Sequence, residues 1–169
     1  MNLRAAVLAA AFALAGCTTN PIPQGYTGPL ATIDDSAVTR SSTSADLFYV
    51  SDVDGRPIED SRAATNRANS GRGFSLTAVP VSRQIPARPS RLTIMGETHY
   101  GAPIQAFLNP IYRVSGDVDF TPVPDRRYVV RGVLGPDYSG VWLEDADSHE
   151  VIGRKIEVHG SAAVGILEK

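Results

Sequence analysis

The stretch Val114-Ser115-Gly116-Asp117-Val118-Asp119-Phe120 decides the fold class. Val114, Val118 and Phe120 fall on one side of an extended chain, and Ser115, Asp117 and Asp119 fall on the other. A two-residue period of this kind marks a strand with one face buried. The pattern repeats at Tyr128, Val130 and Leu134, and at Val141 and Leu143, with Trp142 on the opposite face. Leu92 and Ile94 share a face within 91–95, and Phe74, Leu76 and Ala78 share one before Pro80. Residues 45–53 are apolar on both sides in their middle (Leu47, Phe48, Tyr49, Val50), as expected of a central strand. Residues 31–34 and 151–158 complete the set. Between the last two strands, Glu144 to His149 supplies a turn rich in Asp and Ser, whose side chains bond nearby backbone amides. Asp125-Arg126, flanked by Pro122 and Pro124, supplies another break.

One helix is predicted, over Ala102 to Leu108, with Pro103 in its first turn and Asn109-Pro110 ending it. The sequence therefore predicts an all-β sandwich of about eight short, mostly antiparallel strands, with at most one short helix besides an N-terminal leader. Two segments are longer than such a sandwich needs. Asp54 to Arg72 is a polar run read as a long loop, and Gly101 to Arg113 is the second. Gly160 to Lys169 is read either as an added edge strand or as a frayed end.

Chain length and charge set the outer limits. A chain of 169 residues suits about one domain and can bury a core without disulfides or a metal. The formal net charge of −2 gives no electrostatic footprint for nucleic acid.

The N-terminus has a different character. Arg4 gives a charged start, and Ala5 to Leu14 is unbroken apolar sequence. That run is too short to span a bilayer, which takes about 20 apolar residues, and it fits the core of a signal peptide. The one cysteine of the chain follows at once, in Leu14-Ala15-Gly16-Cys17. This tetrad resembles the lipobox of bacterial lipoproteins. The resemblance implies cleavage of residues 1–16, a diacylglyceryl group on the Cys17 sulfur and acylation of the new amino terminus. Two or more buried chains give stable anchoring, at about 0.8 kcal/mol per methylene. In the same class an aspartate after the cysteine favours inner-membrane retention. Thr18 stands there instead, which implies the outer membrane, with the periplasmic or surface-facing side left open.

Residues 17–30 are then a lipidated cysteine and a tether. Three prolines and two glycines between Thr18 and Pro29 argue against helix or strand. An extended tether of this composition reaches roughly 35 Å. Tyr26 either packs on the domain or lies near headgroups. Residues 31–159 are the sandwich and 160–169 the tail.

A second resemblance covers about a quarter of the chain, in VDFTPVPDRRYVVRGVL and SGVWLEDADSHEVI. These are similar to the second half of several bacterial envelope lipoproteins and of transthyretin-like or PEGA-like β-sandwich modules. The matching positions are Phe120, Pro122, Tyr128, Val130, Val141, Leu143 and Asp145. Asp125-Arg126-Arg127 stands where that pattern has a glycine before the tyrosine, and His149 replaces the glycine of its hairpin turn. The likeness implies a sandwich and brings no active site.

Glu97 and His99 lie two apart, so a strand places both on one face, and with His159 they form a candidate metal chelate. Asp52-Val53-Asp54-Gly55 opens like a calcium loop but lacks the third acidic position and the closing glutamate. Asp54-Gly55 is more simply a turn. The acid pairs Asp34/Asp35, Asp52/Asp54, Asp117/Asp119 and Asp145/Asp147 are too close in sequence to set a glycosidase separation. Ser70-Gly71 and Ser139-Gly140 lack the G-x-S-x-G elbow. Arg62, Arg67 and Arg72 make the polar segment the candidate ligand surface, for a glycan or an anionic headgroup.

The leading functional expectation is a non-enzymatic envelope lipoprotein, with no catalytic residue, no metal and no cofactor. Its sandwich would bind or support another envelope protein or component. The first alternative is an inhibitor of a lysozyme-like or protease hydrolase, with residues 54–72 as the plug. The second is a metal-assisted envelope hydrolase using Glu97 and His99.

Overall fold

The computed structural model describes residues 20–165. The leader, Cys17 and Thr18 lie outside the described residues. Ten strands form two sheets that pack face to face as a sandwich. The first sheet has the order β10-β9-β8-β1-β5, from β1 (Leu30–Asp34), β5 (Ser82–Pro86), β8 (Arg127–Val133), β9 (Tyr138–Asp145) and β10 (Val151–His159). The second has the order β2-β3-β6-β7, from β2 (Ser36–Ser41), β3 (Ser44–Val53), β6 (Ser90–Tyr100) and β7 (Arg113–Phe120). The short β4 (Arg56–Pro57) adds to β3. Among the described residues β1 and β8 are the one parallel pair.

The alternation read from the sequence is what fills the core. Val114, Val118 and Phe120 of β7 meet Tyr128 and Val130 of β8 and Val141 and Leu143 of β9. The Phe120 and Tyr128 rings meet edge to face at 4.7 Å. Gly132 sits where β8 passes the Phe48 ring, and a side chain there would overlap both that ring and the Gly140 carbonyl. Trp142 faces outward, with Lys155 Nζ 4.3 Å from its ring centre. The Asp54-Gly55 turn has positive φ at both residues (53° and 72°), the geometry of a tight hairpin turn that joins β3 to β4. Asp125 and His149 also take positive φ, 62° and 60°, so non-glycine residues fill left-handed positions at both chain breaks.

Three expectations need correction. The segment from Asp54 to Arg72 is not a long loop: it holds β4 and a helix, α1 (Ser61–Asn69). Asp60 caps α1, its carboxylate accepting from the Ala63 amide at 2.7 Å. With α2 (Pro103–Leu108) the domain has two helices, where at most one was expected.

The second correction concerns residues 74–78, where the shared face of Phe74, Leu76 and Ala78 predicts a strand. Leu76 and Ala78 do pack on Ala45, Leu47 and Tyr49, on the outer face of the second sheet. The backbone, however, finds no partner strand among the described residues: the Leu76 amide donates to the Ser42 carbonyl in the β2–β3 turn at 2.9 Å, and the residues that follow bond to side chains of α1. Ser61, Thr65 and Asn69 stand four residues apart on one buried helix face. Ser61 Oγ accepts from the Val81 amide at 3.0 Å, and Thr65 Oγ1 accepts from the Val79 amide at 2.9 Å. Asn69 accepts from the Thr77 amide at 2.8 Å and donates to its carbonyl at 2.8 Å. A polar helix stripe thus does for this segment what a neighbouring strand would do.

Third, β2, β4 and β5 were not foreseen as strands. β2 and β5 are sheet edges, polar or proline-ended, so they lack an alternating apolar face. Among the described residues the tail makes one isolated bridge, Ala163 to Tyr112 just before β7, and the Val164 amide donates to the Ile111 carbonyl at 2.8 Å.

A Thr65→Val substitution keeps the shape of the stripe and removes the acceptor for the Val79 amide. Leaving that donor unsatisfied should lower stability by about 1–3 kcal/mol, read as a shift of the urea midpoint with unchanged slope.

Candidate functional site

The sequence directed attention to Glu97, His99 and the arginines of residues 54–72. The structure brings part of this set together under α1. On the outer face of the second sheet, Glu97 pairs in register with Leu47, and His99 with Ala45. Both side chains therefore point toward α1. The Glu97 carboxylate is buried, its side chain 6% exposed. Its Oε2 accepts from Arg113 Nε at 2.6 Å, and its Oε1 faces Arg62 Nε at 3.8 Å and His99 Nδ1 at 4.0 Å. His99 Nε2 lies 2.8 Å from Asn66 Oδ1. That oxygen only accepts, so Nε2 carries the hydrogen and Nδ1 is bare in the neutral ring. Tyr49 lies beneath, its hydroxyl donating to Met95 Sδ at 3.0 Å.

The electrostatics follow from burial and charge. Burial holds His99 below the ordinary histidine value, opposed by Glu97 and assisted by Arg62. Burial also pushes the Tyr49 hydroxyl well up, and Glu97 adds to the shift. Arg62 is held above its ordinary range, chiefly by Glu97. One carboxylate is thus clasped between two guanidiniums, with a neutral imidazole beside it.

His159 does not join this cluster. It stands on β10 in the other sheet, its ring 5.4 Å from that of Tyr138. Among the described residues no three His, Cys, Asp or Glu side chains stand close enough to hold a metal ion. Arg62, Arg67 and Arg72 do not converge either. Arg62 turns to Glu97, Arg67 pairs with Glu59, and Arg72 Nη1 reaches Thr77 Oγ1 at 3.4 Å. The lipidation residue, Cys17, lies outside the described residues.

The remaining acid pairs are also placed. Asp117 and Asp119 point outward from β7 into a wide, open depression beside Asp54. There Thr93 donates to Asp117 at 2.8 Å and Arg91 donates to Asp119 at 2.9 Å. Asp145 closes its own turn, accepting from the Asp147 and Ser148 amides at 3.0 and 2.9 Å. These amides, Ser148 first, hold the Asp145 carboxyl below its ordinary range.

Sequence reasoning missed Arg113, Asn66 and Tyr49 as members of the Glu97 cluster. The shared face of Glu97 and His99 was legible from strand parity, but the pairings of β6 with β3 and β7 that deliver Tyr49 and Arg113 were not.

No protein-family model, curated protein or solved structure matches the chain.

The His99 environment generates a pH dependence. The folded state disfavours the imidazolium, so below the ordinary value near 6.5 the unfolded chain binds the proton first. Stability contributed by neutral His99 is present above that value and is lost as pH falls through it toward the lower folded-state value. The urea midpoint should fall more between about pH 7 and pH 5.5 for the parent chain than for His99→Gln.

Proposed function

We propose that the chain is a lipid-anchored cell-envelope lipoprotein whose sandwich acts as a non-enzymatic binding or structural module. Cys17 carries the lipid, and Thr18 directs the anchored protein to the outer membrane. The lipobox resemblance supports the anchor. The observation that carries the non-enzymatic reading is how Glu97 and His99 are held. A general base needs a carboxylate or imidazole within reach of a substrate proton. Here Glu97 is buried and clasped by Arg113 and Arg62, and His99 is mostly buried, its side chain 15% exposed and its bare Nδ1 turned toward Glu97 Oε1 at 4.0 Å. Both side chains act as struts between the sheet and α1. The segment 54–72, which an inhibitor would use as a plug, lies folded on the sheet as β4 and α1. Partners of the module are then an envelope protein, a glycan or an anionic headgroup met at its outer surface.

The test uses the full chain expressed with its leader in a diderm bacterium. The parent chain should be recovered with the outer-membrane fraction, with an N-terminal peptide beginning at an acylated Cys17. Cys17→Ala should lose both. An intact leader with an unmodified thiol on the parent chain would remove the anchor. Turnover of cell-wall material by the purified domain, abolished in a folded Glu97→Gln variant, would replace the binding-module reading with a hydrolase.

A further inference from the structure

The tether was expected to run extended, as a spacer. Its described part is folded onto the domain. Asn20, Pro21 and Pro23 line a groove with Val53, Ile58 and Arg88 at one end of the sandwich. Asn20 and Pro21 also border a second groove with Glu59, Val81 and Arg83. Asn20 Oδ1 accepts from the Ile22 amide at 3.0 Å. The Tyr26 amide then donates to the Pro23 carbonyl at 3.1 Å, with Gly25 at φ 78°. Tyr26 packs back onto its own segment. Its hydroxyl donates to the Pro29 carbonyl at 2.9 Å, and its ring occupies the space a side chain on Gly28 would need. Pro29 is in turn bonded to the domain, its carbonyl accepting from the Ala87 amide at 2.8 Å.

We propose that this segment is a docked strap that seats the Val53–Ile58 end of the sandwich on the lipid surface. The proposal rests on lipidation of Cys17. Three residue steps separate Cys17 from Asn20, which span about 11 Å at most. Asn20 borders the groove beside Ile58, so the Cα of the anchored cysteine can lie no farther than that from one edge of the groove. The charges of this end are mixed, with Asp54 in the same groove and Asp117 and Asp119 in the depression beside it, and two arginines are the groups available to meet phosphate. Arg56 is exposed and has no ion-pair partner among the described residues, and Arg88 shares only a 3.4 Å contact with Asp54. Guanidinium forks match phosphate oxygens. The opposite end is fixed by the strands. Val53 pairs with Leu92 and Ser44 with Tyr100, so β3 carries the chain across the whole sheet. At about 3.3 Å per residue the α2 end lies about 30 Å from the seat and faces away from the lipid.

The test exploits the single cysteine. With Cys17 lipidated, a cysteine introduced elsewhere is the only free thiol. Pro89→Cys labels the seat and Leu108→Cys labels α2. Both are exposed, with Leu108 at 72%. Each lipidated, fluorophore-labelled full chain is reconstituted into vesicles of phosphatidylethanolamine and phosphatidylglycerol bearing a headgroup nitroxide, then floated. The Pro89 label should be quenched several-fold more than the Leu108 label. Replacing Pro21, Ile22 and Pro23 by Gly, Ser and Gly should abolish the difference. Chains that float with equal quenching, or with more at Leu108, overturn the seating alone. Parent chains that fail to float overturn the anchor and the seating with it.

Discussion

The structure depends on one buried carboxylate, that of Asp35. The chain leaves the first sheet at Asp34 and enters the second at Ser36, so Asp35 stands at the crossing between the two sheets. Its oxygens accept from Arg83 of β5 at 2.7 and 2.5 Å, from the Val50 amide of β3 at 3.1 Å, and from the amide and hydroxyl of Ser61 at 3.1 and 2.7 Å. One side chain thereby ties together both sheets and the start of α1. Burial holds its carboxyl above the ordinary aspartate range, against the pull of Arg83, Ser61 and Val50. An apolar pair of the same volume often replaces a buried ion pair without loss. It could not do so here. The Val50 amide and both Ser61 donors would lose their acceptor, at about 1–3 kcal/mol for each buried group left unsatisfied.

The consequence of that tie is a second covered face. Once Asp35 fixes Ser61, the helix runs along β3, and Ser61, Thr65 and Asn69 hold the segment 77–81 in place. Leu76 and Ala78 then cover Leu47 and Tyr49, and Arg62 and Asn66 come to rest over Glu97 and His99. This explains why β3 is buried on both sides while most of its neighbours are buried on one. At the other end of the sheet a second polar tie does related work. Arg40 donates to Asp46 at 2.7 Å and to the Leu134 carbonyl at 2.6 Å, joining β2 and β3 to the end of β8.

The readable parts of the sequence were those governed by local rules. Strand parity in 114–120, 128–134 and 141–143 gave the core faces because a half-buried strand must alternate. The helix at Pro103 and the Asp54-Gly55 turn announced themselves by backbone chemistry. What stayed hidden was nonlocal. Ser61, Thr65 and Asn69 look like loop residues, and their four-residue spacing has meaning only against an extended segment that follows the helix. Leu76 and Ala78 alternate as a strand does, and only the absence of a partner strand denies them the name. Glu97 and His99 were correctly seen to share a face, because two-residue spacing suffices for that. The guanidiniums of Arg113 and Arg62 that clasp Glu97 come from a neighbouring strand and a helix, and no local pattern points to them.

The same distinction bears on where the proposed binding module would meet a partner. Among the described residues the buried carboxylates Asp35, Asp46, Glu97 and Asp145 each pair with an arginine, and Asp34 Oδ1 and Arg83 Nε are the buried side-chain atoms left without a hydrogen-bond partner. What the inner residues can transmit is position. Asp35 and the Glu97 cluster hold α1 rigidly on the sheet, and the sheet in turn carries Ser44 and Val53 to opposite ends of the domain. The two ends differ in kind. One holds the folded tether among Ile58, Arg56 and Arg88, while the other presents α2 with Ile104 and Leu108 exposed. A rigid body with unlike ends has a defined direction. If the domain is the binding module proposed above, what it meets is set by which end faces outward, and the interior polar network is what keeps that direction fixed.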